Sequence, residues 1–158
     1  PRRALAVTFD ADPLFWFDFP GARWTPGLPQ GPPWPRDLET PQQLLVDVQL
    51  CQNLLENLGR AAAGVLPEAK GVPVVSVFPL RPTAVGEATT LVCLVENIFP
   101  PAVDIAWRRG GVPVTAGVTR TPYTPTGDGA FVRFSHLAAT PRAGDVYACV
   151  VTHEGGNA

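Results

Sequence analysis

The chain has 158 residues, 46% of them apolar and 16% charged, with a formal net charge of −2. It can bury a core, and it has no basic surplus of the kind that neutralises nucleic-acid phosphates. Nineteen prolines and 15 glycines indicate many turns and short elements, and no apolar run approaches the roughly 18 residues of a membrane span.

Ala4 to Phe9 alternates weakly between apolar and polar residues. The following stretch, Asp12 to Phe19, is the most aromatic in the chain. As a strand it puts Phe15, Phe17 and Phe19 on one face and Leu14, Trp16 and Asp18 on the other. Both faces are largely apolar, as for a strand covered on both sides. A third strand is expected near Ala22 to Thr25, after a Pro20-Gly21 turn. Gly27 to Pro35 is rich in Pro and Gly and reads as a loop. Asp10 and Asp12 flank a hairpin turn and are read as turn formers, not metal ligands.

One helix follows. Thr40 suits the N-cap and Pro41 the first helical position. Leu44, Val48, Cys51, Leu55 and Leu58 recur at spacings of four and three, a stripe expected to pack on a sheet. Gly59 is the expected stop. Leu50, Asn53 and Asn57 lie off that stripe and are the candidates to face a ligand or partner. Ala61 to Gly71 reads as a connection, with a domain boundary near Lys70-Gly71.

Beyond it the pattern becomes short β-rich runs: Val72 to Phe78, Thr89 to Val95, Val103 to Arg108, Ala130 to Leu137 and Val146 to Thr152. Turn residues separate them, which predicts an all-β sandwich. Cys93 and Cys149 are 56 residues apart, Trp107 follows Cys93 by 14, and Tyr147 precedes Cys149 by two. That is the Cys, Trp, Cys pattern of an immunoglobulin domain, with Tyr147 at the tyrosine-corner position. The pattern implies an inter-sheet disulfide between Cys93 and Cys149. Cys51 is left over, as a free thiol, an intermolecular partner, or half of a bond whose other half lies outside this sequence. No Cys-x-x-Cys occurs and only two histidines are present, so a zinc site lacks ligands. No Gly-x-Ser-x-Gly and no Cys supported by a His suggests a hydrolase nucleophile.

Two segments carry a more specific resemblance. Leu91-Val-Cys-Leu-Val-Glu-Asn-Ile-Phe-Pro-Pro101 resembles the B strand and following turn of constant-type domains in histocompatibility proteins. Tyr147-Ala-Cys-Val-Val-Thr-His153 resembles their F-strand signature, with His153 at a structural position. Phe9 to Asp18 is similar to the second and third strands of class II alpha chains. The resemblance thus implies an α+β chain. A half-platform domain, an antiparallel sheet plus helix, spans 1–70, and an immunoglobulin C1-type domain spans 71–158. On this resemblance a first platform strand and the last sandwich strand lie outside the sequence.

Peptide-presenting class II alpha chains carry two helix asparagines, seven residues apart, that bond the bound peptide's main chain. The corresponding positions here are Leu50 and Asn57, so the first is lost. The non-classical DM type instead carries a helix cysteine bonded toward the N-terminal strand, and Cys51 fits that position. Asp47 to Cys51 and the run from Cys51 to Phe78 resemble DM alpha chains, as does Phe15 to Phe19. Only Gln30 to Gln43 resists alignment.

The resemblance implies a heterodimer with a DM-like beta chain. Such a dimer binds classical class II molecules in endosomes and lysosomes and speeds release and exchange of their peptides without covalent chemistry. It implies a membrane anchor outside this stretch, the DO modulator as a further partner, no nucleic acid and no cofactor. Asn97 matches a family contact asparagine, with a turn-forming role as the alternative. Lys70 and Val72 match a basic and an aromatic contact position, from which Val72 departs. The competing readings are a peptide-presenting alpha chain and a DO-like modulator.

Overall fold

The computed structural model describes residues 4–10, 12–27, 31–33, 35, 39–67, 69–153 and the backbone of 156–157. The chain divides into two compact units, Pro1–Glu68 and Ala69–Ala158. Of the expected loop Gly27–Pro35, residues 28–30 and 34 lie outside the described residues.

The first unit holds an antiparallel sheet of three strands, β1 (Ala6–Phe9), β2 (Asp12–Asp18) and β3 (Arg23–Pro26), in the order β1-β2-β3. Phe17 pairs with Trp24 across β2 and β3, and Asp18 pairs with Arg23. The expected aromatic face forms there. Phe17 meets Phe19 edge-on at 5.0 Å and Trp24 at 5.2 Å, and Phe15 lies 6.4 Å from Trp24. Edge-to-face contact brings a ring's positive rim to its neighbour's negative face, which favours this arrangement over stacking. An Asp18–Arg23 ion pair at 3.7 Å closes the hairpin. Asp10, between β1 and β2, and Ala22, between β2 and β3, have φ of 51° and 47°.

Helix α1 (Pro41–Ala62) begins where its capping chemistry predicts. Thr40 Oγ1 accepts from the Gln43 N–H at 3.3 Å, and Gln43 Oε1 accepts from the Thr40 N–H at 3.0 Å. The two residues form a capping box with Pro41 at the first helical position. The expected stop at Gly59 is wrong. Arg60, Ala61 and Ala62 are strong helix formers and carry the helix one turn further. It ends where Gly64 takes φ of 76°, which glycine adopts without a Cβ clash.

The expected buried stripe also needs correction. Leu44 is buried and Val48 half-buried, but Cys51, Leu55 and Leu58 are exposed, the last two at 73% and 66%. Only the first two turns of the stripe are covered within the described chain.

In the second unit, β4 (Val74–Pro79), β5 (Thr89–Ile98), β8 (Val118–Arg120) and β10 (Phe131–Ala139) form one sheet in the order β4-β5-β10-β8. The short strand β9 (Thr124–Pro125) pairs beside β10. The facing sheet runs β12-β11-β6-β7, from β6 (Val103–Arg109), β7 (Val112–Val114), β11 (Tyr147–His153) and β12 (Gly156–Asn157). All five expected strands appear. The four missed strands, β7, β8, β9 and β12, have two or three residues each, too few to show alternation. In particular, Gly156–Asn157 adds a short strand at the edge where none was expected.

Cys93, Val95, Ile98, Val103, Ile105, Trp107, Leu137 and Val151 form the core between the sheets. The disulfide Cys93–Cys149 spans it. Trp107, 1% exposed, pairs with Cys149 across β6 and β11. Its indole N–H donates to Ser135 Oγ at 3.0 Å, and that hydroxyl donates to Thr119 O at 3.2 Å. The one polar atom of the core tryptophan is thereby satisfied.

The bridge closes a loop over a sequence separation of 56. Replacing both cysteines by alanine should destabilise the second unit by about 2–5 kcal/mol in denaturant titration. Thr40→Ala should cost about 1 kcal/mol, read as loss of helicity on heating.

Candidate functional site

The strand β5 ends in a residue that leaves the β region. Asn97 has φ of 53°, in the left-handed region that asparagine tolerates better than most side chains. Its side-chain amide turns back and donates to Val72 O at 3.0 Å. Two residues on, Phe99 O accepts the Gly71 N–H at 2.8 Å. Residues 70–72 are thus laid along the end of β5. Lys70 and Val72 are exposed, Val72 at 75%. Val72 and Asn97, 25 residues apart in sequence, are joined by that bond, and Lys70 lies two residues before Val72. Its positive φ lies inside β5, where the pairing with β10 shifts register, ahead of the turn. Its side chain ties that end of β5 to Val72.

The turn after β5 continues through a cis Phe99–Pro100 bond. His153 lies beneath it, 6% exposed, with Nε2 3.2 Å from Pro100 O. His136 lies on β10 and stacks on Phe134 at 6.3 Å. Among the described residues no group of three or more His, Cys, Asp or Glu is placed to hold a metal ion.

On α1, Leu50, Asn53 and Asn57 share one face at spacings of three and four. All three are exposed, Leu50 at 56%. Asn53 Oδ1 accepts from Gln49 Nε2 at 3.1 Å. Cys51, one residue after Leu50, is exposed and has no disulfide partner among the described residues.

Among the described residues the Tyr147 hydroxyl has no main-chain partner. Its hydroxyl lies 3.5 Å from Asp145 Oδ2. Asp145 is itself the hub of the loop before β11. It accepts the Arg142 N–H at 2.8 Å and pairs with Arg109 at 2.8 Å, whose guanidinium lies 5.9 Å from the Tyr147 ring centre. The Arg142 N–H above all, and then Arg109, hold the Asp145 carboxyl below its ordinary range.

The hydroxyl that does anchor main chain belongs to Tyr123, which the sequence reading missed. It accepts the Val103 N–H at 2.9 Å and lies 3.3 Å from Val103 O, under the Arg133 guanidinium at 4.4 Å. An isolated tyrosine between two Thr-Pro pairs carries no periodic signal.

Asn97→Ala should destabilise the second unit by about 1–2 kcal/mol, since it loses a hydrogen bond and puts a Cβ at positive φ without a compensating amide. Asn97→Gly should cost less, and the pair is compared by urea unfolding. For Asp145 the folded carboxyl titrates below the unfolded one. Its contribution is present above the ordinary carboxylate range and lost as pH falls through the lowered value. Thermal midpoints of wild type and Asp145→Asn should differ near neutrality and converge in acid.

Comparison with known proteins matches the immunoglobulin C1-set domain to residues 75–156. The human HLA class II DM alpha chain is 34% identical over 154 residues, 98% of this chain and 59% of that protein. The class II M alpha chain of Mus musculus is 33% identical over the same shares. The human DQ alpha 2 chain is 37% identical over 115 residues, 73% of this chain and 45% of its own length. The chain thus spans 59% of the length of the two DM-type relatives. It belongs to the class II histocompatibility alpha chains, with a DM-type sequence and an immunoglobulin C1-set second domain.

Proposed function

We propose that this chain pairs with a DM-like beta chain and that the heterodimer acts on peptide-presenting class II molecules, speeding release and exchange of their bound peptides. The observation that carries this reading is the exposed apolar surface of α1. Leu50 presents an exposed apolar side chain at the position of the first peptide-binding asparagine of presenting chains, seven residues before exposed Asn57. A main-chain clamp on an extended peptide loses half its amide contacts there. A DM-type relative matching over 98% of the chain supports the same reading.

Two physical facts favour a partner chain. Within the described residues, the apolar side chains Val46, Leu50, Leu54, Leu55 and Leu58 of α1 remain exposed. A unit of some 70 residues also buries only about 60% of its unfolded surface, so a second chain would supply much of its stability. Exchange activity needs no nucleophile. It requires tighter binding of the peptide-receptive conformer than of the filled one, because only differential affinity shifts a population. Lys70, Val72 and Asn97 are the proposed contact residues for the class II partner. The site of action on this reading is the endosomal or lysosomal lumen, with the native protein held at the membrane by a segment outside this stretch. Among the described residues no helix is long and apolar enough to cross a membrane.

The test is loss of a labelled peptide from a class II molecule, with and without the heterodimer. Acceleration is expected, and Lys70→Glu should reduce it about tenfold, equivalent to about 1.4 kcal/mol of partner binding, without changing the heterodimer's melting. A peptide co-purifying in the heterodimer's own groove, together with no acceleration, would instead make the chain a presenting one.

A further inference from the structure

Lys70, Val72 and Asn97 come from two separate stretches of chain, and Gly71 is where the stretches meet. A Cβ built at Gly71 would stand 2.2 Å from Asn97 O and 2.8 Å from Phe99 N. Both obstacles are main-chain atoms, so no side-chain rotation relieves the clash. Only glycine lets residues 70–72 lie this close to the end of β5. The approach is sealed by the Gly71 N–H donating to Phe99 O and by the Asn97 amide donating to Val72 O.

The receiving turn is held from its other side. A carbonyl oxygen only accepts, so the His153 Nε2 that faces Pro100 O carries the hydrogen. Nδ1, also buried, has no hydrogen-bond partner among the described residues. His153 lies at the end of β11, in register with Val103 on β6, and Val103 is part of the core. A continuous path therefore runs from the sandwich core through His153, Pro100 and Phe99 to Gly71.

We propose that Gly71 and His153 are positioning residues for the partner surface, locking residues 70–72 onto the end of β5 and the 99–102 turn so that Lys70, Val72 and Asn97 are presented preformed. The proposal rests on the partner-binding reading of those three residues. A preformed surface spares the ordering of a loose segment at the moment of binding, which strengthens binding without adding a contact.

The experiment uses the heterodimer with its beta chain and three variants, Gly71→Ala, His153→Leu and His153→Gln. Amide hydrogen exchange at residues 70–72, thermal midpoint and Kd for a peptide-presenting class II molecule are measured together. In wild type the Gly71 amide should be protected. Gly71→Ala should speed its exchange and weaken binding about tenfold with little change in midpoint. His153→Leu should do the same, and His153→Gln, which keeps an N–H donor, should restore binding. If His153→Leu does not fold, Gly71→Ala decides alone. Faster exchange in Gly71→Ala with a Kd within twofold of wild type overturns the positioning role, as does an unprotected Gly71 amide in wild type. A wild-type heterodimer with a protected Gly71 amide and no affinity for class II overturns the partner reading, and the positioning role with it.

Discussion

The second unit is organised around one sulfur bridge and the indole beside it. Cys93 on β5 and Cys149 on β11 join the two sheets, and Trp107 on β6 lies in register with Cys149. The indole N–H then reaches Ser135 on β10, which is in register with Cys93. The covalent link and the hydrogen bond cross between sheets at neighbouring positions, so the sheets are fixed in separation and in register at once. A hydrophobic core alone would resist separation but tolerate sliding.

Function is proposed at the margin of that core. Ile98 and Val103, both buried, bracket the turn 99–102. The turn projects Phe99 O and Pro100 O to opposite duties, one toward Gly71 and one toward His153. A surface assembled in this way borrows its rigidity from the sandwich, although its exposed residues belong to a connecting segment and a turn.

The first unit shows the reverse balance. Its sheet carries a coherent aromatic cluster, yet most apolar positions of α1 are solvent-exposed in the chain by itself. A helix with this many exposed apolar residues has the kind of surface that a partner covers in an assembly. That physical imbalance, more than any single residue, is what the proposed beta chain would resolve.

Local chemistry was readable from residues alone wherever it acts over a few positions. The N-cap at Thr40 with Pro41 after it, the alternation that aligns Phe15, Phe17 and Phe19, and the Cys93, Trp107, Cys149 spacing are of this kind, because each depends on a local position, a fixed period or a covalent bond. The tertiary structure alone decided the rest. It exposed Cys51 and Leu58, gave the anchoring hydroxyl to Tyr123 in place of Tyr147, and laid Gly71 on Asn97. Those outcomes depend on which atoms of distant segments meet, and a Cβ that is absent leaves no periodic trace in a sequence.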